Sequence, residues 1–199
     1  MITNSTDKTI LKLESQLVET KKKLVAARKK AGRRVVEDFE LHGWAGGVRL
    51  SELFGDKKEL IVIQNMGRSC PYCTTWADGF NGMIQHLEDR AAFVVCSPDA
   101  TELQQAFSGT RGWKFRMVSS QNTSFKKALG FEQKNGKPLP GVSTFEKDNK
   151  GRIWHVASAG FGPGDDYCSL WSILDLLPKG AGKWAPKFSY MPGKELTAA

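Results

Sequence analysis

The chain has 199 residues, enough for one domain with a sizeable core, and its 40% apolar and 25% charged content is ordinary for a soluble globular protein. No apolar run approaches the roughly 20 residues that span a bilayer, and Met1–Asp7 lacks the basic and apolar stretches of a secretion signal, so a cytoplasmic protein is expected. The net charge of +8 is concentrated: residues 1–34 hold ten Lys or Arg against Asp7, Glu14 and Glu19, which leaves the other 165 residues nearly neutral.

The basic segment reads as a helix from about Asp7 to Ala31. Ile10, Leu13, Leu17, Thr20, Leu24, Ala27 and Ala31 recur at spacings of three and four, placing one stripe along its length with Lys and Arg on the other faces. Three uses of this helix stay open: lying across the domain, pairing with a second copy, or docking on an acidic surface. Nucleic acid is not expected, because no aromatic residues interleave the charges.

After Gly32, Val35–Leu41 resembles a first strand, Gly43–Gly47 a turn and Val48–Gly55 a connector. Leu60–Ile63 is a continuous apolar run of the kind found in buried parallel strands. A helix follows from about Cys73 to Glu88, with Trp76, Phe80, Met83, Ile84 and Leu87 on one face, and then a second buried-strand run, Ala91–Cys96. Strand, helix, strand is a βαβ unit, expected to be right-handed with parallel strands. Ser97-Pro98-Asp99 opens a helix carrying Leu103, Ala106 and Phe107. Phe115–Ser119 is a short strand and Ser124–Leu129 a short helix. Val142–Glu146 and Ile153–Val156 flank the turn residues Asp148–Gly151, a hairpin signal. Tyr167–Leu177 reads as a closing helix with Tyr167, Leu170, Trp171 and Leu174 inward. The organisation is therefore a basic helix over 1–34, a domain over 35–177 and an irregular tail over 178–199. A βαβ half joined to an antiparallel hairpin half gives an α/β, thioredoxin-like mixed sheet flanked by helices. No glycine-rich phosphate loop follows either buried strand, which argues against a dinucleotide fold, and no resident cofactor is expected.

Four cysteines, Cys70, Cys73, Cys96 and Cys168, stand in a chain expected to be kept reduced, so the close pair reads as redox-active or metal-binding rather than structural. Cys70-Pro71-Tyr72-Cys73 lies between a buried strand and an amphipathic helix. Proline suits the first helical position, and Cys70 would face the unpaired backbone N–H groups and the positive end of the helix dipole. That environment favours the thiolate, making Cys70 the expected nucleophile and Cys73, one turn inside, the resolving thiol. Arg68 and the Gly67 turn stand ready to add positive potential. A zinc or iron–sulfur site would need ligands beyond the pair, and no second C-x-x-C exists, so no metal is assigned. Cys96 reads as an inert strand residue, Cys168 as structural, His155 as a hydrogen-bonded sheet residue, and His42 and His86 as surface residues. Phe161–Asp166 reads as a loop feeding a helix cap.

Cys70-Pro71-Tyr72-Cys73 is identical to the active-site tetrapeptide of many glutaredoxins. Phe93–Asp99, Gly112–Phe115 and Ala128–Phe131 resemble landmarks of the peroxiredoxin branch. Ser51–Phe54, Leu60–Val62, Cys70-Pro71-x-Cys73-x-x-Trp76-Ala77-Asp78, Gly112-Trp113-x-Phe115 and Gly141–Ser143 resemble a thioredoxin-like family of unknown function related to alkyl hydroperoxide reductases. Two positions depart from better-known relatives. Ser143 stands where thioredoxins and glutaredoxins are expected to place a cis-proline, and Gly67 stands where peroxiredoxins carry a threonine. The combined expectation is a thiol–disulfide oxidoreductase using Cys70 and Cys73 on a protein or small-thiol disulfide. Peroxide reduction, or a non-catalytic binding or assembly module that holds a metal, are the alternatives.

Overall fold

A computed structural model describes residues 7–190; the start, Met1–Thr6, and the end of the tail, 191–199, lie outside the described residues. The chain divides into two compact units, residues 1–34 and 35–199. The first is one helix, α1 (Lys8–Lys30). Asp7 caps it, accepting the N–H groups of Thr9 at 2.7 Å and Ile10 at 3.3 Å, while Arg28, Lys29 and Lys30 face the negative end of its dipole. No residue of α1 is buried.

The second unit is built on an eight-stranded mixed sheet: β1 (Arg34–Val36), β2 (Glu40–Gly43), β3 (Gly46–Arg49), β4 (Glu59–Gln64), β5 (Ala92–Ser97), β6 (Arg116–Ser119), β7 (Gly141–Lys147) and β8 (Ile153–Gly160), in spatial order β1-β8-β7-β4-β5-β6-β2-β3. The parallel pairs are β4 with β5 and β5 with β6, whereas β4–β7 and β7–β8 are antiparallel, as expected of a βαβ half joined to a hairpin half. The helices are α2 (Pro71–Arg90), α3 (Thr101–Arg111), α4 (Phe125–Ala128) and α5 (Ser169–Leu174), with a 3-10 turn over Leu50–Phe54. Among the described residues no helix is long and apolar enough to cross a membrane.

The central strands are apolar on both sides because both faces of the sheet are covered. Ile63, Phe93 and Val95 join Trp76, Ala77, Phe80 and Ile84 of α2 and Trp171 of α5 in one core. Leu60, Val62, Val94 and Cys96 point the other way, onto Leu53, Phe54, Phe125 and Phe145.

Three local expectations change. The first strand splits into β1 and β2 because Asp38 turns aside to accept the N–H and hydroxyl of Ser51, both at 2.7 Å. Helix α3 buries Gln104 and Ser108, not Leu103 and Ala106, since the Gln104 amide donates to Ser97 Oγ at 2.8 Å and Val118 O at 2.9 Å. Helix α5 is shorter than its apolar pattern: Asp165 takes the N–H groups of Tyr167 and Cys168 at 2.8 and 3.1 Å, so the helix starts only at Ser169. Residues 178–190 carry no helix or strand, yet they are fastened to the domain: Trp184 meets Trp171 edge-on at 6.2 Å, Phe188 meets Phe107 at 6.1 Å, and Arg111 donates to the Phe188 carbonyl at 2.7 Å.

Candidate active site

The loop leaving β4 brings two thiols to the start of α2. Cys70 is the N-cap, in extended conformation, and Pro71 fills the first helical position, where its missing N–H leaves no gap in the ladder. The Cys70 sulfur takes the place a capping oxygen would hold, accepting the Cys73 N–H at 3.1 Å. Cys70 is partly exposed and Cys73 is buried, and both are free thiols. The Cys73 thiol donates to Cys70, which chiefly holds the Cys70 pKa down at about 7; the backbone N–H groups of Cys73 and Tyr72 add to this and burial opposes it. The same contact, with burial and the adjacent charge, pushes the Cys73 thiol up, against a smaller opposing pull from the Met66 N–H, 3.4 Å from its sulfur, and from Lys126. The contact thus favours the anion on Cys70 and the proton on Cys73.

The loop around the pair explains Gly67. Its φ is +111°, and a Cβ there would meet Asp99 Oδ1 at 3.0 Å, so both conformation and space select glycine over threonine. Asp99 accepts the Arg68 N–H at 2.9 Å and the Ser97 hydroxyl at 2.9 Å, locking this loop to the end of β5. Asn65 closes the turn from within, accepting the Gly67 N–H at 2.7 Å.

Ser143 does not occupy the place expected for a cis-proline. It lies inside β7 opposite Val62, fully buried, with its hydroxyl 3.2 Å from Ser158 Oγ and 3.5 Å from Gln64 Nε2. The residue before β7 is Pro140, and among the described residues no peptide bond is cis. The misplacement is one of register: the β7 start is set by its pairing of Gly141 with Gln64, which the residue string does not display.

The Trp76-Ala77-Asp78 stretch is structural. Asp78 accepts Arg111 through both carboxylate oxygens and the Trp113 indole N–H at 2.8 Å, tying α2 to the Gly112-Trp113 corner that ends α3. The Trp76 indole N–H donates to Asp165 at 3.3 Å and its ring stacks on Phe161 at 5.5 Å, so an aromatic wall of Tyr72, Trp76, Phe161 and Trp171 runs along the helix that carries the thiols.

The remaining candidates lie apart from this chemistry. Cys96 is fully buried in β5 and its thiol is pushed up by burial; Cys168 is the buried N-cap of α5. His155 pairs with Ser158 Oγ at 2.7 Å on β8, and exposed His42 with the Gln121 carbonyl at 3.1 Å. Among the described residues no group of three or more His, Cys, Asp or Glu is arranged to hold a metal. Lys126 is the feature sequence reasoning missed: it sits in the exposed-looking run Phe125-Lys126-Lys127, yet it is buried with its ammonium against Gln64, Asn65 and Cys96.

A free thiol pair at a strand-to-helix junction is an arrangement suited to redox chemistry, and the comparisons agree on the scaffold. The chain is similar to peroxidoxin BcpB from Mycobacterium tuberculosis, with 25% identity over 65% of this chain and 84% of that one and a TM-score of 0.52. Reduced Prx3 from Vibrio vulnificus, solved in complex with H2O2, matches at 17% identity over 66% and 88% of the two chains with a TM-score of 0.52. The mitochondrial 2-Cys peroxiredoxin from Plasmodium falciparum matches at 18% identity over 65% and 82% with a TM-score of 0.50. These likenesses establish a peroxiredoxin and thioredoxin-like fold. A search of curated proteins finds no match. The model of the bacterial proteins of unknown function designated DUF899 matches residues 4–195, and the chain belongs to that family.

Proposed function

We propose that the protein is a thiol–disulfide oxidoreductase in which Cys70 and Cys73 form the working dithiol. The observation that carries this reading is the Cys70 sulfur at the N-cap of α2, accepting the Cys73 N–H at 3.1 Å and held as a thiolate near neutral pH. In the first step the Cys70 thiolate attacks one sulfur of a substrate disulfide. A mixed disulfide forms, and the other substrate sulfur leaves as a thiolate and takes up a proton. In the second step Cys73, having lost its proton, attacks Cys70 Sγ. The second substrate thiolate leaves, and two electrons have passed from the dithiol to the substrate. The partly exposed Cys70 meets the substrate, whereas buried Cys73 acts only inside the mixed disulfide.

Glutathione disulfide is a direct test. The reduced wild type is expected to end as an internal Cys70–Cys73 disulfide, Cys73→Ser to stop as a stable glutathione adduct on Cys70, and Cys70→Ser to stay unmodified. An adduct that forms equally in Cys70→Ser refutes the assignment.

The likeness to the M. tuberculosis peroxidoxin favours peroxide as a second oxidant of the same thiol. Attack of the Cys70 thiolate on a peroxide O–O bond yields a sulfenic acid and a hydroxide or alkoxide, and Cys73 then displaces water to give the same disulfide. In Cys73→Ser a sulfenic acid trappable by dimedone at low peroxide is expected on this reading; a thiol that stays reduced rules it out.

A further inference from the structure

Beneath the pair lies a charge that the proposed steps leave unused. Lys126 on α4 is 3% exposed, and its Nζ donates to Gln64 Oε1 at 3.1 Å, to the Asn65 carbonyl at 3.0 Å and to the Cys96 carbonyl at 3.4 Å. An ammonium has three N–H donors, and each of these acceptors is neutral. A buried cation so held is unfavourable unless an anion compensates it, and burial accordingly pulls the Lys126 pKa down. The titratable groups that face it are Cys96 from β5, Cys73 from α2, Asp99 from the turn after β5 and Glu132 from the stretch after α4.

One peptide group joins this lysine to the resolving thiol. The Asn65 carbonyl that accepts Lys126 Nζ belongs to the same peptide unit as the Met66 N–H, which donates to Cys73 Sγ at 3.4 Å. No peptide bond among the described residues is cis, so the oxygen and the N–H point to opposite sides, one toward the ammonium and the other toward the sulfur. A cation at the oxygen polarises the amide and strengthens its N–H as a donor. The lysine's one side-chain acceptor is held as well: Gln64 Nε2 reaches Ser143 Oγ at 3.5 Å, and Ser143 pairs with Ser158 at 3.2 Å, leaving Gln64 Oε1 toward Lys126.

We propose that Lys126 is a positioning residue for Cys73: its ammonium, relayed through the Asn65–Met66 peptide, stabilises the Cys73 thiolate that resolves the mixed disulfide on Cys70. The inference rests on the thiol–disulfide reading above. It supplies what that reading lacks, a reason for a buried, proton-bearing thiol to become a nucleophile once Cys70 has been consumed.

The test follows reaction of the reduced protein with 5,5′-dithiobis(2-nitrobenzoate) by stopped flow. Attack by Cys70 releases the first nitrothiophenolate, and resolution by Cys73 releases the second. In Lys126→Met the first phase is expected to stay within about twofold of wild type. The second is expected to slow at least tenfold, with its pH profile moved upward by a unit or more, and Lys126→Arg should restore most of that rate. Equal slowing of both phases indicates a merely structural lysine and overturns the proposal, as does an unchanged second phase. Cys96→Ser is expected to leave the Lys126→Met effect intact; if it abolishes the effect, the charge serves Cys96 and the proposal fails. Should Lys126→Met not fold, the wild-type second phase decides. A midpoint below the free-cysteine value of about 8.5 supports the relay, and one above it overturns the relay. A wild type that releases nitrothiophenolate once and never resolves refutes the thiol–disulfide reading itself, and the lysine's role falls with it.

Discussion

The pH dependence of Cys70 alkylation gives a sharp quantitative expectation. With its pKa held at about 7, Cys70 is half thiolate at pH 7. A free cysteine titrating at about 8.5 is roughly 3% thiolate there. A less basic thiolate is also a weaker nucleophile: with a Brønsted slope of about 0.45, a drop of about 1.5 units costs roughly fivefold in intrinsic reactivity. The net advantage over free cysteine is therefore about sixfold at pH 6, about threefold at pH 7, lost near pH 8, and reversed to about fourfold slower at pH 9. Partial burial of Cys70 scales all of these rates together, so the informative quantity is their ratio, which is expected to fall about 20-fold from pH 6 to pH 9. Iodoacetamide competition between the protein and a short unstructured cysteine peptide, whose thiol titrates at about 8.5, read by mass spectrometry of the Cys70 peptide, measures that ratio directly. A ratio flat to within twofold across this range refutes the activated thiol. The largest cause of the shift is the Cys73 thiol, so Cys73→Ala is expected to flatten the profile and move its midpoint upward.

Further outcomes concern the scaffold. Gly141→Ala drives a Cβ into Ala159 O and the Phe131 ring, so a loss of about 3 kcal/mol or more is expected in urea unfolding, through displacement of β7 from β8. Phe125→Ala empties a fully buried site between Phe39 and Phe145 and is expected to cost about 3–5 kcal/mol by the same measurement. Asp78→Ala leaves Arg111 and the Trp113 indole without their shared acceptor; a loss of about 1–3 kcal/mol is expected, with faster exchange of the Trp113 indole proton by NMR.

Much of this arrangement was legible in the residues, and the parts that were not share a cause. Leu60–Ile63 and Ala91–Cys96 are apolar on every position because helices cover both faces, and that signal survives without any knowledge of neighbours. The cysteine pair was likewise readable, since a proline between a buried strand and an amphipathic helix fixes where the helix begins. Lys126 was not. Nothing in the short stretch Ser124–Leu129 marks one of its two lysines as buried, and only the packing of α4 beneath the β4 loop, 61 and 62 residues away in sequence, gives Lys126 its buried acceptors. Gln104 was missed for the same reason, its partners Ser97 and Val118 lying on two strands that meet only in the folded sheet. The placement of Ser143 failed on strand register, which is decided by pairing and not by composition.

The aromatic wall along α2 has a practical consequence. Trp76 follows Cys73 by one helical turn, and its ring lies 6.4 Å from Tyr72 and 6.0 Å from Trp171, so one indole stands a turn away from the buried cysteine with a second indole packed against it. Sulfur in a disulfide drains the excited state of a neighbouring indole far more effectively than a protonated thiol does. On the proposed dithiol reading this gives an optical gauge of electron occupancy: emission is expected to dim when the two sulfurs join and return when they part, letting titration against defined redox buffers proceed without a dye or a label.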